Sequence, residues 1–154
     1  MFTLRVYGFL LNENKEVLVS DELIRGNYYT KLCGGGMELG EGTLDCLKRE
    51  FMEEMQLKVE VSRHIYTTDI YQQSAFNTAH QIVSIYYEVN ALEPIRVPLR
   101  QKPFDFDDQQ LQLYKQTQQI ETFRFVAWEQ FSEDTMTLPL DKIAAKKIIA
   151  LYQT

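Results

Sequence analysis

The chain has 154 residues, 45% of them apolar and 25% charged, the length of one domain with enough apolar side chains for an ordinary core, which argues against a disordered tail or a repeat array. Sixteen lysines and arginines against 22 aspartates and glutamates leave a net charge of −6; that sign is wrong for a nucleic-acid polymer as main partner, and a polyanionic small substrate would need a cation as mediator. No run approaches the roughly 18 apolar residues of a membrane span, and the only cysteines, Cys33 and Cys46, follow no disulfide or metal-ligand spacing, so they read as reduced thiols of a cytoplasmic protein without a membrane partner.

The opening MFTLRVYGFLLN carries Arg5 inside its apolar stretch and has no small-residue cleavage site, so it reads as a first strand rather than a leader. Asn12 to Lys15 supplies a polar turn, and Glu16 to Leu23 resumes a strand pattern, which predicts a hairpin. Asn27 to Cys33 reads as a third short strand running into Gly34, Gly35 and Gly36, where a backbone can approach a ligand closely. A helix follows to about Met55, with Thr43 as its N-cap, Asp45 in its first turn, and Leu44, Leu47, Phe51 and Met55 on one apolar face.

Leu57 to Gln73 alternates as one long or interrupted strand, Ser74 to Thr78 reads as a loop, and Val83, Ile85, Tyr87 and Val89 mark the next strand. Residues 93–119 turn polar, with prolines, glutamines and Asp105, Asp107 and Asp108, and read as either a surface excursion or a weakly structured insertion, with higher mobility expected there. Glu121 to Trp128 is another strand. Pro139 and Asp141 open a closing helix whose Ala144, Ala145, Ile148, Leu151 and Tyr152 share a face. The whole chain, 1–154, is thus read as a single α/β domain, a sandwich with a mixed sheet between helices.

The chemistry is concentrated in residues 34–57. At about 100° per residue, Glu50, Glu53 and Glu54 fall within roughly one 100° arc beside the apolar face. Like charges at this spacing repel, each pair costing a few tenths of a kcal/mol, so something must compensate. A hard divalent cation, Mg²⁺ or Mn²⁺, takes oxygen ligands and bridges carboxylates to phosphates. A solvated helix face is the plainer reading of such a charge run; the glycine and acidic loop in front of it favours the cation.

These residues carry a resemblance. Gly35, five residues, Glu41, seven residues, Arg49-Glu50-Phe51, one residue, Glu53-Glu54, one residue, then Gln56 and Leu57 is similar to the box of the Nudix hydrolases at every charged position, over about 23 residues. The resemblance implies that family's α/β/α sandwich. It also implies cleavage by water of a nucleoside diphosphate linked to another moiety, with Mg²⁺ or Mn²⁺ as cofactor and a small-molecule nucleoside diphosphate derivative as partner. Carried over position by position, Glu50, Glu53, Glu54 and the Gly34 carbonyl become metal ligands, Arg49 orients a glutamate, and Glu41 organises the loop or binds metal through water. The general base falls to Glu50 or Glu53, with Glu121 as a distal candidate. Members often pair through sheet edges, so the resemblance admits a homodimer through the apolar first strand.

Two positions depart from the pattern. The usual glycine after the paired glutamates is Gln56, which concerns how the helix ends, and the proline that often precedes the glycines is Cys33, read as a small strand residue rather than a nucleophile. Asp105, Asp107 and Asp108 read as solvated loop charges, His64 and His80 as ordinary surface or hydrogen-bonded histidines, and Tyr28, Tyr29, Tyr71 and Phe76 as packing more than base-stacking groups. No signature identifies the substrate-binding residues. The reading from another class is a sensing domain of the same fold that binds a nucleotide or nucleotide sugar without hydrolysis; the complete set of glutamates argues against it.

Overall fold

The computed structural model describes residues 1–153. The chain opens with β1 (Phe2–Leu10), β2 (Glu16–Ile24), β3 (Asn27–Lys31) and β4 (Cys33–Gly36), then α1 (Thr43–Met55). It continues with β5 (Val59–Thr67), β6 (Gln81–Ala91), the short β7 (Leu99–Arg100), α2 (Asp108–Thr117), β8 (Gln119–Ala127) and α3 (Pro139–Tyr152). The strands form two four-stranded sheets, β4-β1-β6-β5 and β3-β2-β8-β7. Both are mixed, because β1 runs parallel to β6 and β7 parallel to β8 while the remaining neighbours are antiparallel.

The expected α/β/α sandwich is present, with its mixed sheet divided in two. The β1–β2 hairpin survives only at its tip, where Leu11 bridges Val17 and the Asn12 side chain accepts the amides of Asn14 and Glu16. Beyond that point β1 joins one sheet and β2 the other. Alternation explains how both strands stay apolar on both faces: Tyr7, Phe9, Val17 and Val19 enter the core cluster under α3, whereas Val6, Leu10 and Leu18 enter the cluster under α1.

Several element boundaries differ from expectation. The long strand ends at Thr67, and the chain meets the sheet again only where Gln73 bridges Gln81. The insertion expected to be weakly structured contains β7 and α2. That helix was invisible to hydrophobic periodicity because it buries no residue; its stability comes from Asp107, whose carboxylate accepts the Gln110 amide at 2.8 Å while Gln110 Oε1 accepts the Asp107 amide. In α3, Leu140, Ala144, Ala145 and Ile148 are buried; Leu151 is exposed, and Tyr152 is half-buried with its ring 4.9 Å from that of Trp128. No helix among the described residues is long and apolar enough to cross a membrane.

The ends of α1 correct one expectation and resolve another. Gly42, not Thr43, is the N-cap, and its amide is accepted by the Asp45 carboxylate; Thr43 Oγ1 is spent on Tyr87 Oη at 2.7 Å. Leu44 lies on the apolar side but in the first turn, where side chains lean past the helix end, and it stays 45% exposed while Cys46 is buried in its stead. At the other end Gln56 adopts the left-handed conformation (φ 51°, ψ 40°), with its amide bonded to the Met52 carbonyl. The helix therefore exits as a glycine would make it exit, and Gln56 bears the steric cost. Gln56→Gly is expected to stabilise the protein by about 1 kcal/mol, raising Tm by about 2–4 °C; calorimetric melting would measure it, and an unchanged or lower Tm would mean the side chain makes a compensating contact.

Candidate active site

Glycine is required where strand and helix meet. β4 pairs antiparallel with β1, Gly35 opposite Val6, and α1 packs across it. A Cβ on Gly35 would sit 2.6 Å from the Glu50 carboxylate, and one on Gly34 would collide with the Val6 carbonyl. The missing side chains let the Glu50 carboxylate lie directly against the strand.

Arg49 ties the acidic loop to the helix. Its Nε and Nη2 donate to both oxygens of Glu41 at 3.0 and 2.7 Å, Nη2 also to the Gly36 carbonyl at 2.9 Å, and Nη1 to Glu50 at 2.9 Å and Glu53 at 3.2 Å. Hydrogen bonds from Arg49, then the Glu38 amide, hold the Glu41 carboxyl down to about 2. Glu41 is therefore an anionic strut of the loop. Such a planar fork serves several carboxylates at once, which a lysine could not do.

The three glutamates of α1 do not share one environment. Around the helix, Glu54 lies nearest the buried face, Glu50 next and Glu53 outermost. Glu53 accordingly has a 58% exposed side chain paired with Arg49, whereas Glu50 is 13% exposed. Glu50 and Glu54 line a cleft of about 330 Å³ together with Glu22 and Glu121 from the second sheet. Glu22 and Glu121 are register partners on β2 and β8, and Ser20 Oγ lies 3.2 Å from a carboxylate oxygen of each.

Two of these carboxylates, Glu54 and Glu121, hold their protons tightly. Burial, then the charge of Glu121, pushes Glu54 up to about 8; burial, then the charge of Glu22, pushes Glu121 up to about 7. The Cys33 thiol donates to Glu54 Oε2 at 3.0 Å, and burial followed by the Glu54 charge pushes that thiol up, so Cys33 is a donor to a carboxylate and not a nucleophile. Among the described residues, no three histidine, cysteine or acidic side chains are already closed around one point.

Of the positions singled out from sequence, Glu50, Glu54, Gly34 and Glu121 line this one cleft, while Glu53 and Glu41 lie outside its lining. The cleft also contains Glu22, Lys31, Arg5, Tyr7 and Gln119, which the sequence did not single out. The overlooked signal was Ser20-Asp21-Glu22, a polar run inside an otherwise apolar strand and buried throughout. Asp21 is structural: it accepts Arg124 Nε at 2.6 Å and Thr30 Oγ1 at 2.8 Å. Asp105 and Asp108 are exposed, and Asp107 caps α2. His64 pairs with Thr67 Oγ1 and His80 with Thr3 Oγ1, both outside the acid cleft. Tyr28 packs on Phe104 and Tyr29 on Phe76, while Tyr71 is 71% exposed.

The chain resembles solved structures over almost its whole length. A solution structure of the E. coli ORF135 protein matches with a TM-score of 0.71 at 12% identity, covering 98% of this chain and 91% of that one. The MutT protein from Methanosarcina mazei Go1 matches at 0.68 and 13%, covering 99% and 96%. An ADP-ribose pyrophosphatase from Streptococcus suis matches at 0.56 and 17%, covering 96% and 87%. At these identities the likeness establishes the fold, and the family rests on the NUDIX domain profile, which matches residues 1–150. With Arg49 bracing the glycine loop and the glutamates of α1, this chain belongs to the Nudix family of hydrolases acting on phosphoric anhydride bonds.

Proposed function

We propose that the protein is a Mg²⁺-dependent pyrophosphohydrolase that cleaves a nucleoside diphosphate linked to another moiety by attack of water on the phosphoanhydride. The observation that carries this reading is the convergence of Glu50, Glu54 and Glu121 in one cleft, with Glu54 and Glu121 pushed up to about 8 and 7 by burial and neighbouring charge. The donors are all hard oxygens, which fits Mg²⁺ or Mn²⁺, and an ion that keeps waters and phosphate oxygens as ligands does not require a closed protein cage. Glu50, Glu54 and the Gly34 carbonyl would hold the ion, with Glu53 extending the same stripe on its exposed side. When bound, the ion neutralises the phosphates and acidifies a water ligand.

The chain's own groups perform the rest. Arg49 keeps Glu50 and the Gly36 carbonyl in place, so the ligand positions need little reorganisation on binding. Glu121 is the better-placed base among the candidates, because it faces the cleft and releases its proton near neutral pH, whereas Glu53 faces out. Nothing in the geometry favours a non-hydrolytic sensor. Structural neighbours named as an ADP-ribose pyrophosphatase and a UDP-X diphosphatase support a small nucleotide derivative as substrate.

Purified protein incubated with nucleoside diphosphate sugars, dinucleotides and nucleoside triphosphates should release products cleaved between phosphorus atoms in Mg²⁺ or Mn²⁺ and none in EDTA. Turnover that persisted after chelation would reject the metal dependence. Recovery of every compound intact would reject the hydrolytic reading and favour the sensor.

A further inference from the structure

The second sheet brings a row of polar side chains to the wall of the acid cleft. Ser20 and Glu22 are two residues apart on β2 and so share a face; Lys31 on β3 is the register partner of Ser20, and Glu121 on β8 is that of Glu22. Glu22, Lys31 and Glu121 line the cleft, and Ser20, whose hydroxyl reaches both glutamates, is fully buried. Two carboxylates placed opposite each other on neighbouring strands repel, so this register needs something that holds each of them.

The two are held differently. Glu22 has both oxygens engaged, Oε1 by the Lys31 ammonium at 3.3 Å and Oε2 by the Ser20 hydroxyl at 3.2 Å. Lys31 is itself seated, with its ammonium 4.8 Å from the centre of the Phe76 ring and 5.4 Å from that of Tyr29. Glu121 is held on one side only. Ser20 lies 3.2 Å from its Oε2, and its backbone carbonyl accepts Gln110 Nε2 of α2 at 2.8 Å. Glu121 Oε1 accepts from no described residue; since Arg100 Nε is the one described side-chain polar atom that is both buried and unpartnered, this oxygen stays open to solvent.

A hydroxyl has one proton, and Ser20 shares it between two acceptors at equal distance. Lys31 pins Glu22, so the hydroxyl has a fixed point on one side and acts on the other: the chain from Lys31 through Glu22 and Ser20 ends on Glu121. A general base works best when a further group orients it, and a misplacement of about 1 Å can cost about a hundredfold in rate.

We propose that Ser20 is a positioning residue for hydrolysis: anchored through Glu22 to Lys31, its hydroxyl holds Glu121 by Oε2 and leaves Oε1 free to receive the proton of the attacking water. The inference rests on the hydrolase reading above and on Glu121 as its base. In that step Oε1 takes one proton from water, the water oxygen bonds to phosphorus, and the bond from phosphorus to the leaving phosphate oxygen breaks with its electron pair staying on that oxygen. Ser20 touches none of these atoms and acts through Glu121.

Kinetics of wild type, Ser20→Ala, Glu121→Gln and the double variant read this coupling. Glu121→Gln should lower kcat about a hundredfold or more. Ser20→Ala should lower kcat at least about tenfold with KM changed by no more than about threefold. In the Glu121→Gln background it should cost no more than about twofold further, because a residue that acts through another is silent once the other is gone. Wild-type kcat in Ser20→Ala would overturn the role. So would a loss that recurs in full beside Glu121→Gln, which is the behaviour of a merely structural serine.

Crystal structures of wild type and Ser20→Ala without substrate give a readout free of turnover. Glu121 should occupy one rotamer in wild type, with Oε2 against Ser20, and a different or divided one in Ser20→Ala; an unchanged rotamer would overturn the positioning role whatever the rates. Full turnover by Glu121→Gln would instead reject Glu121 as the base, and no turnover by wild type would reject the hydrolase reading. In either case the rotamer comparison still decides whether Ser20 holds Glu121.

Discussion

A Glu54→Gln protein is expected to hydrolyse its substrate about a thousandfold more slowly than wild type, while its metal-free form melts at a higher temperature at pH 8. On the proposed reading of Glu54 as a cation ligand, the rate loss follows from removing a charged group worth several kcal/mol of charge stabilisation. The stability gain follows from linkage. An unfolded glutamate ionises near its ordinary value of 4.5, whereas burial and the neighbouring Glu121 push folded Glu54 up to about 8. Between these values the folded state keeps a proton that the unfolded chain has released, so wild-type stability falls as pH rises through this window. Below about pH 4.5 both states are protonated and the penalty vanishes.

Because Glu54 and Glu121 share one cleft and titrate as a coupled pair, in two steps that belong to the pair, we expect a wild-type loss on the order of 2 kcal/mol between pH 5 and 8.5, or about 5 °C in Tm. The glutamine of the Glu54→Gln variant would escape its share and still offer an oxygen to the Cys33 thiol. Adding Mg²⁺ should restore wild-type Tm more at pH 8 than at pH 6, since the cation competes with protons for the same oxygens. Scanning calorimetry in EDTA and in Mg²⁺ at the two pH values measures all of this. A variant that kept its rate, or that melted lower than wild type at pH 8 without metal, would remove Glu54 from the metal site.

Arg49→Ala is expected to lower kcat/KM by about a hundredfold or more and to weaken Mg²⁺ binding by a factor in the range of about 10–100. One guanidinium serves Glu41, Glu50, Glu53 and the Gly36 carbonyl. Its removal leaves like charges facing one another and releases the loop from the helix, so the Glu50 carboxylate loses its fixed position against Gly35. Arg49→Lys should recover only part of the loss, because an ammonium can neutralise but cannot present a fork to Glu41. Magnesium titration calorimetry beside steady-state kinetics separates the two effects. If lysine restored full activity, charge alone would account for Arg49.

The box was legible because its chemistry is local. Glu41, Arg49, Glu50, Glu53 and Glu54 lie within one loop and one helix, where spacing alone determines relative direction, and Gln56, two residues after Glu54 where the box usually has glycine, was singled out as bearing on how the helix ends. What spacing could not supply was depth. The three helix glutamates share an arc, but only contact with β4 and β8 distinguishes the sunken Glu54 from the solvent-facing Glu53. The same limit put Leu44 in the core, since periodicity records a direction and not how far the partner sheet extends.

The insertion escaped for the opposite reason. α2 has no buried face, so its one trace in the sequence was the pairing of Asp107 with Gln110, a capping signal hidden in a polar run.

By itself the amino-acid sequence determined the α/β class, the acidic stripe of the 34–57 segment and the family, because each depends on the order and spacing of neighbouring residues. Only tertiary structure decided that β1 and β2 part into separate sheets and that Glu22 and Glu121 cross from the second sheet to face Glu54. Those relations join residues distant in the chain, such as Ser20 and Glu121, 101 positions apart across the β2–β8 pairing, and no local pattern encodes them; they exist only once burial of both apolar faces has driven the sheets together between α1 and α3.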